Sequence, residues 1–244
     1  MKKLNERSKQ VRRDTLKLSK AHGGYHYGGS FSIVEILIAL YDRILQPEDK
    51  FILSKGHACW PLYVLLKERG LNPKLEGHPS LDEREGVHFT TGSEGHGFPA
   101  GAGMALARKI QGRNGQIYVL IGDGECQEGT TWESLLTAPH RKLDNLTVIV
   151  DWNLFQGAGA VKDTLPIDGL GSIARTLGWA VVAVDGHDTE EIHTALNYFE
   201  KDKPLLIIAH TVKGRGVSYM EGRGEWHAKY PDPEHEKRAF EDLK

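Results

Sequence analysis

Four short apolar runs decide most about this chain: "IYVLI" (117–121), "LTVIV" (146–150), "AVVAV" (180–184) and "LLIIA" (205–209), each bounded by turn-forming residues. They are rich in β-branched residues and do not alternate polar with apolar, so each reads as a strand buried on both faces. Between them, residues 131–142, 169–178 and 188–201 carry helical spacing, the last with Asp188 or Thr189 as N-cap and acids in its first turn. Strands alternating with helices imply right-handed crossovers and a mostly parallel sheet with helices on both faces, an α/β fold. Upstream, "FSIVEILIALYDRI" (31–44) is apolar nearly all round and predicts a buried helix, while "GFPAGAGMALARKI" (97–110) predicts a helix whose small residues let a neighbouring backbone approach. No repeat, low-complexity tract or Pro/Ser-rich linker interrupts the sequence, so 1–244 is expected to be a single domain.

With 39% hydrophobic and 26% charged residues over 244 positions, the composition is that of a soluble globular protein with a sizeable core. A formal net charge of -2 gives no reason to expect nucleic acid or an anionic membrane as partner. No apolar run approaches the roughly 20 residues that span a bilayer. The basic start "MKKLNERSKQVRRD" lacks the apolar segment of a secretory signal. Leu4, Val11, Leu16 and Leu18 are spaced as on a surface helix. Cys59 and Cys126 make neither a metal-binding pair nor a disulfide framework, so two reduced thiols in a cytoplasmic protein are expected.

The stretch from Gly70 to Gly97 shows little helix or strand pattern, and structureless segments of that length are usually functional. It carries His78, His88 and His96, and His26 and His57 lie in two other glycine-flanked turns. "IGDGECQEGTTWE" (121–133) sets two glycines around Asp123 directly after a predicted strand. Asn153 follows the next strand in "DWNLFQG", with 29 residues between the two, the length of one helical crossover. Both therefore belong at the carboxyl edge of the sheet, where open parallel sheets bind ligands. An aspartate there is either a turn former or a ligand for something carrying positive charge. A carboxylate and an amide oxygen, with a backbone carbonyl, suit magnesium or calcium and leave positions open for phosphates. Gly122 and Gly124 are expected to let the backbone close on those phosphates, because glycine adopts positive φ freely and has no side chain in the way.

Gly-Asp-Gly, 28 residues, then Asn resembles the diphosphate-binding motif of thiamine-diphosphate enzymes. The segments "FILSKGHACWPLY", "LEGHPS", "TTGSEGHGFPAGAGMALARK", "GDGECQEGTTWESLLTAPHRKLDNLTVIVDWNLFQ", "VDGHDTEEI" and "TVKGRGVSYMEGRGEWHAKYP" resemble, in order, motifs of the transketolase amino-terminal domain. The resemblance covers nearly the whole chain. It implies a thiamine-diphosphate-binding fold, thiamine diphosphate and Mg2+ as cofactors, and transfer of a two-carbon ketol unit from a ketose donor to an aldose or other acceptor. It also implies Asp123 and Asn153 as side-chain ligands of the metal, with Phe155 lending a backbone carbonyl. Gly122, Gly124 and Glu125 would lie in the turn against the diphosphate. His57, His78 and His227 would surround the thiazolium and substrate, and His26 aligns with the first histidine of the family's "GHPGGS". Glu128 matches a glutamate at the subunit contact that helps couple two cofactor sites. Histidine suits such a site: the cofactor holds the electrons, and the protein moves protons on and off sugar hydroxyls.

The motif set stops before the family's pyrimidine-binding and carboxy-terminal domains. The resemblance therefore implies an amino-terminal subunit that is active only with a carboxy-terminal partner subunit, in a heterotetramer of two plus two. Some positions depart from the family wording: Tyr27 stands where proline is common, Glu94 and His96 where leucine and glutamine are common, and Ala228 for glycine. Glu94 and His96 would add an ionisable pair near the active-site mouth. These departures fit an altered substrate, such as a different sugar or a carrier-bound thioester acceptor, or mere drift. Two other readings share part of the pattern. One is the decarboxylating component of a 2-oxo acid dehydrogenase, against which the "SKGH", "GHP" and "EWH" histidines argue. The other is a non-catalytic module that keeps the fold, against which Asp123 and Asn153 argue.

Overall fold

A computed structural model describes residues 4–244; the first three residues of the basic start lie outside the described residues. In chain order come α1 (Glu6–Ala21), α2 (Tyr27–Ser32), α3 (Val34–Ala39) with a wider turn over Leu40–Ile44, β1 (Lys50–Leu53), α4 (Trp60–Glu68) and α5 (Gly97–Gln111). Next are β2 (Ile117–Gly122), α6 (Gly129–His140), β3 (Leu146–Trp152) and a small hairpin of β4 (Phe155–Gln156) and β5 (Gly159–Ala160). The chain continues through α7 (Val161–Thr164), α8 (Leu170–Leu177), β6 (Ala180–Asp185), α9 (Thr189–Leu196), β7 (Leu205–His210) and α10 (Pro233–Asp242).

Five strands form an all-parallel sheet in the order β1-β2-β3-β7-β6. The strand pleat sends alternate side chains to opposite faces, and here both faces are apolar. Phe51, Leu53, Tyr118, Leu120, Ile149, Leu205 and Ile207 pack with α3, α4 and α9. Ile52, Ile117, Val119, Ile121, Val148, Val150 and Leu206 pack with α5, α6 and α8. Two cores explain why the central strand runs show no polar alternation. A smaller cluster ties Tyr27 and Phe31 to Val217, Met220, Trp226 and Ala239 of α10.

Some expectations are corrected. The run at 180–184 is not buried on both faces: β6 is an edge strand, with Val181 and Val182 half-buried and Ala183 exposed. β1 closes the opposite edge and carries little strand signal of its own, because only "FIL" precedes the polar Ser54. The helix expected over 31–44 is buried but broken at Ile33. There Arg12 donates to the Phe31 carbonyl (2.7 Å) and pairs with Glu35 (2.6 Å), and a side chain that takes a helix carbonyl interrupts the ladder. Arg12, Val11 and Leu16 are buried, so α1 packs inward more than a surface helix would. α9 ends at Leu196, where the Asn197 side-chain Nδ2 donates to the His193 carbonyl (2.8 Å), while Asp188 caps its start as expected. The small residues of α5 do allow close approach: a Cβ on Gly101 would collide with the Val119 side chain. Among the described residues, no helix is long and apolar enough to cross a membrane.

Register brings the loops of interest together. Gly122 pairs with Asp151, so Asp123 and Asn153 emerge from neighbouring strand ends. Lys55 follows β1 and Lys213 follows β7 at the same carboxyl edge.

Candidate active site

Asp123 begins the turn after β2 and does two jobs there. One carboxylate oxygen accepts the Gly124 amide (2.9 Å) and the other accepts the Leu154 amide, which ties the β2 turn to the turn after β3. The group is almost wholly buried; burial, then the charge of Asp151, pushes its pKa up to about 7. A buried carboxylate beside a second carboxylate is a strong attractor for a cation. Beside it, Asn153 donates to Asp151 (2.8 Å) while its Oδ1 accepts the Phe155 amide (3.1 Å), which fixes which end of the amide is which. Leu154 between them is held at φ 70, a conformation that turns the chain sharply at the cavity rim.

The cavity itself, about 310 Å³, is lined by Gly122, Asp123, Gly124, Asn153 and Phe155 on one side and by His26, His57, His78, His227, Glu94, Lys55 and Lys213 on the others. The rings of His26, His57 and His227 form a triangle with centroids 5.1–5.5 Å apart. His26 sits at φ 65 and stacks on Tyr25 (4.1 Å). The glycines after it make room: a Cβ on Gly28 would stand 2.8 Å from the Trp226 carbonyl, and one on Gly29 would stand 3.1 Å from His57 Nε2.

All three rings are held neutral. Burial, then the nearby His78 and Lys213, lowers His26 to about 4, and burial, then Lys213, lowers His227 to about 3. Burial, then Lys55, drives His57 well below the ordinary histidine value. Neutral imidazoles can accept as well as donate protons.

Two lysines that sequence reasoning passes over also belong to the site. Lys213 donates to the Phe155 carbonyl (3.3 Å) and lies 3.0 Å from His227 Nδ1; burial lowers its pKa to about 8. Lys55 pairs with Asp151, which also accepts Ser32 (2.7 Å) and Thr211. Burial alone would raise Asp151, but the Lys55 ammonium wins and holds it below its usual value. The strand-end rule that finds Asp123 and Asn153 also points to Lys55 and Lys213, once β1 is recognised.

Several expected site residues are placed differently. Glu125 does not line the cavity: its buried carboxylate faces inward, accepting Ser54 Oγ, the Gly95 amide (2.9 Å) and the Gly122 amide (3.3 Å). It braces the turn. Glu128 is exposed on the surface and lies outside the cavity. Neither Gly122 nor Gly124 takes positive φ. Gly124 is required for another reason, since a Cβ there would meet Gln156 Oε1 at 2.6 Å, whereas at Gly122 it would meet open space. Glu94 and His96 do not act as a pair: Glu94 lines the cavity beside His57, and His96 is exposed at the start of α5. His88 is also outside, bridging to the Phe51 backbone (3.1 Å).

The site suits a cation with a diphosphate. Among the described residues, no group of three or more His, Cys, Asp or Glu side chains could hold a metal ion. One carboxylate, one amide oxygen and one carbonyl leave room for phosphate oxygens on a hard cation. Two ammonium groups and a glycine backbone facing open space complete the anion side.

The transketolase, thiamine diphosphate binding domain family matches residues 9–236. The chain is 39% identical to one of the subunits of an apulose-4-phosphate transketolase from Actinobacillus succinogenes, over 99% of this chain and 96% of that one. It is 37% identical to a 6-deoxy-6-sulfo-D-fructose transketolase subunit of Clostridium sp., over 90% and 88% of the two chains. The crystal structure of transketolase from Campylobacter jejuni superposes with a TM-score of 0.84 at 28% identity, covering 98% of this chain and 42% of that one. This chain thus spans less than half the length of that solved transketolase.

Proposed function

Because the chain belongs to the transketolase amino-terminal, thiamine-diphosphate-binding family, we propose that it is the amino-terminal subunit of a two-chain transketolase that moves a two-carbon ketol unit. The observation that carries this reading is the meeting of the Asp123–Asn153 strand ends with the triangle of His26, His57 and His227 in one cavity.

In this reading 1–244 is one domain of a cytoplasmic protein. Asp123, Asn153 and the Phe155 carbonyl would hold Mg2+, and the space the side-chain-free turn leaves at Gly122 and Gly124, flanked by Lys55 and Lys213, would receive the diphosphate. Bound thiamine diphosphate supplies the carbon nucleophile and the electron sink for carbon–carbon cleavage. The chain's own part is proton handling. His26, His57, His78 and His227 face the place where sugar hydroxyls gain and lose protons, and an imidazole can take part in both steps. The partner subunit carries the pyrimidine-binding domain, two copies of each chain assemble, and Glu128, exposed on this chain, meets the neighbouring subunit. Substrates are small sugars, with a carrier-bound acceptor as the alternative to an aldose; relatives named for unlike sugars support a specialised substrate.

The test is to assay the chain with and without its carboxy-terminal partner, supplying thiamine diphosphate, Mg2+, a ketose donor and a panel of acceptors. Transfer should require both chains. Full activity of the single chain would refute the two-chain reading, and decarboxylation of 2-oxo acids without ketol transfer would refute the reaction.

A further inference from the structure

Glu94 occupies a cavity wall that the chemistry above leaves without an acidic group. Its Oε1 lies 3.3 Å from His57 Nδ1, with 35% of the Glu94 side chain and 13% of the His57 side chain exposed. The carboxylate is carried on a pinned loop rather than a loose one. The next residue, Gly95, donates its amide to Glu125 (2.9 Å), accepts Thr130 Oγ (2.6 Å) and sits at φ +87, where a Cβ would strike Thr130 at 2.8 Å.

The opposite side of the His57 ring has a charge of the other sign. A Cβ built on Gly29 would be 3.1 Å from His57 Nε2 and 3.4 Å from Lys55 Nζ, so ring nitrogen and ammonium share that corner. A neutral imidazole between an anion and a cation places its N–H toward the anion and its lone pair toward the cation. We propose that Glu94 is a positioning residue for His57: its carboxylate, at ion-pair distance from Nδ1, draws the ring proton to that nitrogen and thereby leaves Nε2 as the proton-accepting one. The pairing stands on this geometry alone; its use in turnover rests on the transketolase reading.

The pairing is tested on the full chain without cofactor or partner, by ¹H–¹⁵N correlation of labelled histidines, with His57→Gln assigning the signal. His57 should be the Nδ1–H tautomer in the parent and in Glu94→Gln, whose amide oxygen keeps partial negative charge beside Nδ1, and should move toward Nε2–H in Glu94→Leu. An Nε2–H tautomer in the parent, or an unchanged tautomer in the leucine variant, overturns the pairing. In the complex with the partner, Glu94→Leu should lower kcat on the order of tenfold to a hundredfold, the cost seen when a group that orients a metal-bound histidine is lost. KM should change little, and Glu94→Gln should restore most of kcat. A tautomer that moves while kcat does not overturns the catalytic role. Absence of ketol transfer by the parent complex would instead count against the proposed reaction, while the tautomer result still decides the pairing.

Discussion

Lys55 and Asp151 form an ion pair with only 2% and 0% of their side chains exposed, joining the turn after β1 to the end of β3. Asp151 also binds Ser32, Asn153 and Thr211, so one carboxylate braces four segments around the cavity. Removing one partner of a buried pair leaves an uncompensated charge, which costs about 3–5 kcal/mol. Asp151→Ala should lose about that much stability in urea unfolding. A loss within the range of an ordinary surface substitution would show that the network is slack.

Asp123 offers a cleaner test of the cation site. In the assembled complex, thiamine diphosphate with Mg2+ should raise Tm, because a ligand that binds only the folded state stabilises it by mass action. Asp123→Ala should abolish that rise while leaving the cofactor-free complex folded. A variant that keeps the full shift would remove Asp123 from the site.

The histidine triangle should dominate turnover. Replacing His26, His57 or His227 by alanine should lower kcat by about 10²–10⁴-fold if each moves a proton. His140, exposed at the end of α6, is the control and should stay within a small factor of the parent. Equal losses at all four positions would contradict the assignment of roles.

The same rings set a pH dependence of stability. His26 and His227 titrate at about 4 and about 3 in the folded chain, below the unfolded value of about 6.5. Between those values the unfolded chain binds more protons, so stability is full above about pH 6.5 and falls as the pH drops toward 4. Denaturant unfolding across that range should show a shallower slope for His26→Gln/His227→Gln than for the parent. Identical slopes would mean that the rings are solvated in solution.

Gly124→Ala should disturb the cavity through one contact. Its new Cβ would stand 2.6 Å from Gln156 Oε1 and 2.8 Å from Gln156 Cβ, pushing on the β4–β5 hairpin beside Phe155. Cofactor affinity of the complex should fall, and Gln156→Gly in the same chain should recover part of it. Failure of that second change to help would trace the loss to the turn itself.

Much of this protein is legible in its sequence, where the information is local. Uninterrupted β-branched runs read as strands, three of the four buried within the sheet as expected, and the Gly-Asp-Gly and Asn153 turns had to share an edge because parallel strands point one way. The histidines His26, His57, His78 and His227 are also found there, through the motifs that surround them. Tertiary structure decided what depends on neighbours far along the chain. It made β6 an edge and let "FIL" pair as β1. It broke the helix over 31–44 where Arg12 takes the Phe31 carbonyl. It turned Glu125 inward, left Glu128 and His96 on the surface, and set Glu94 against His57. Residue type and spacing assign a carboxylate to a loop, but its direction depends on which donors and charges the packed sheet brings within hydrogen-bond reach.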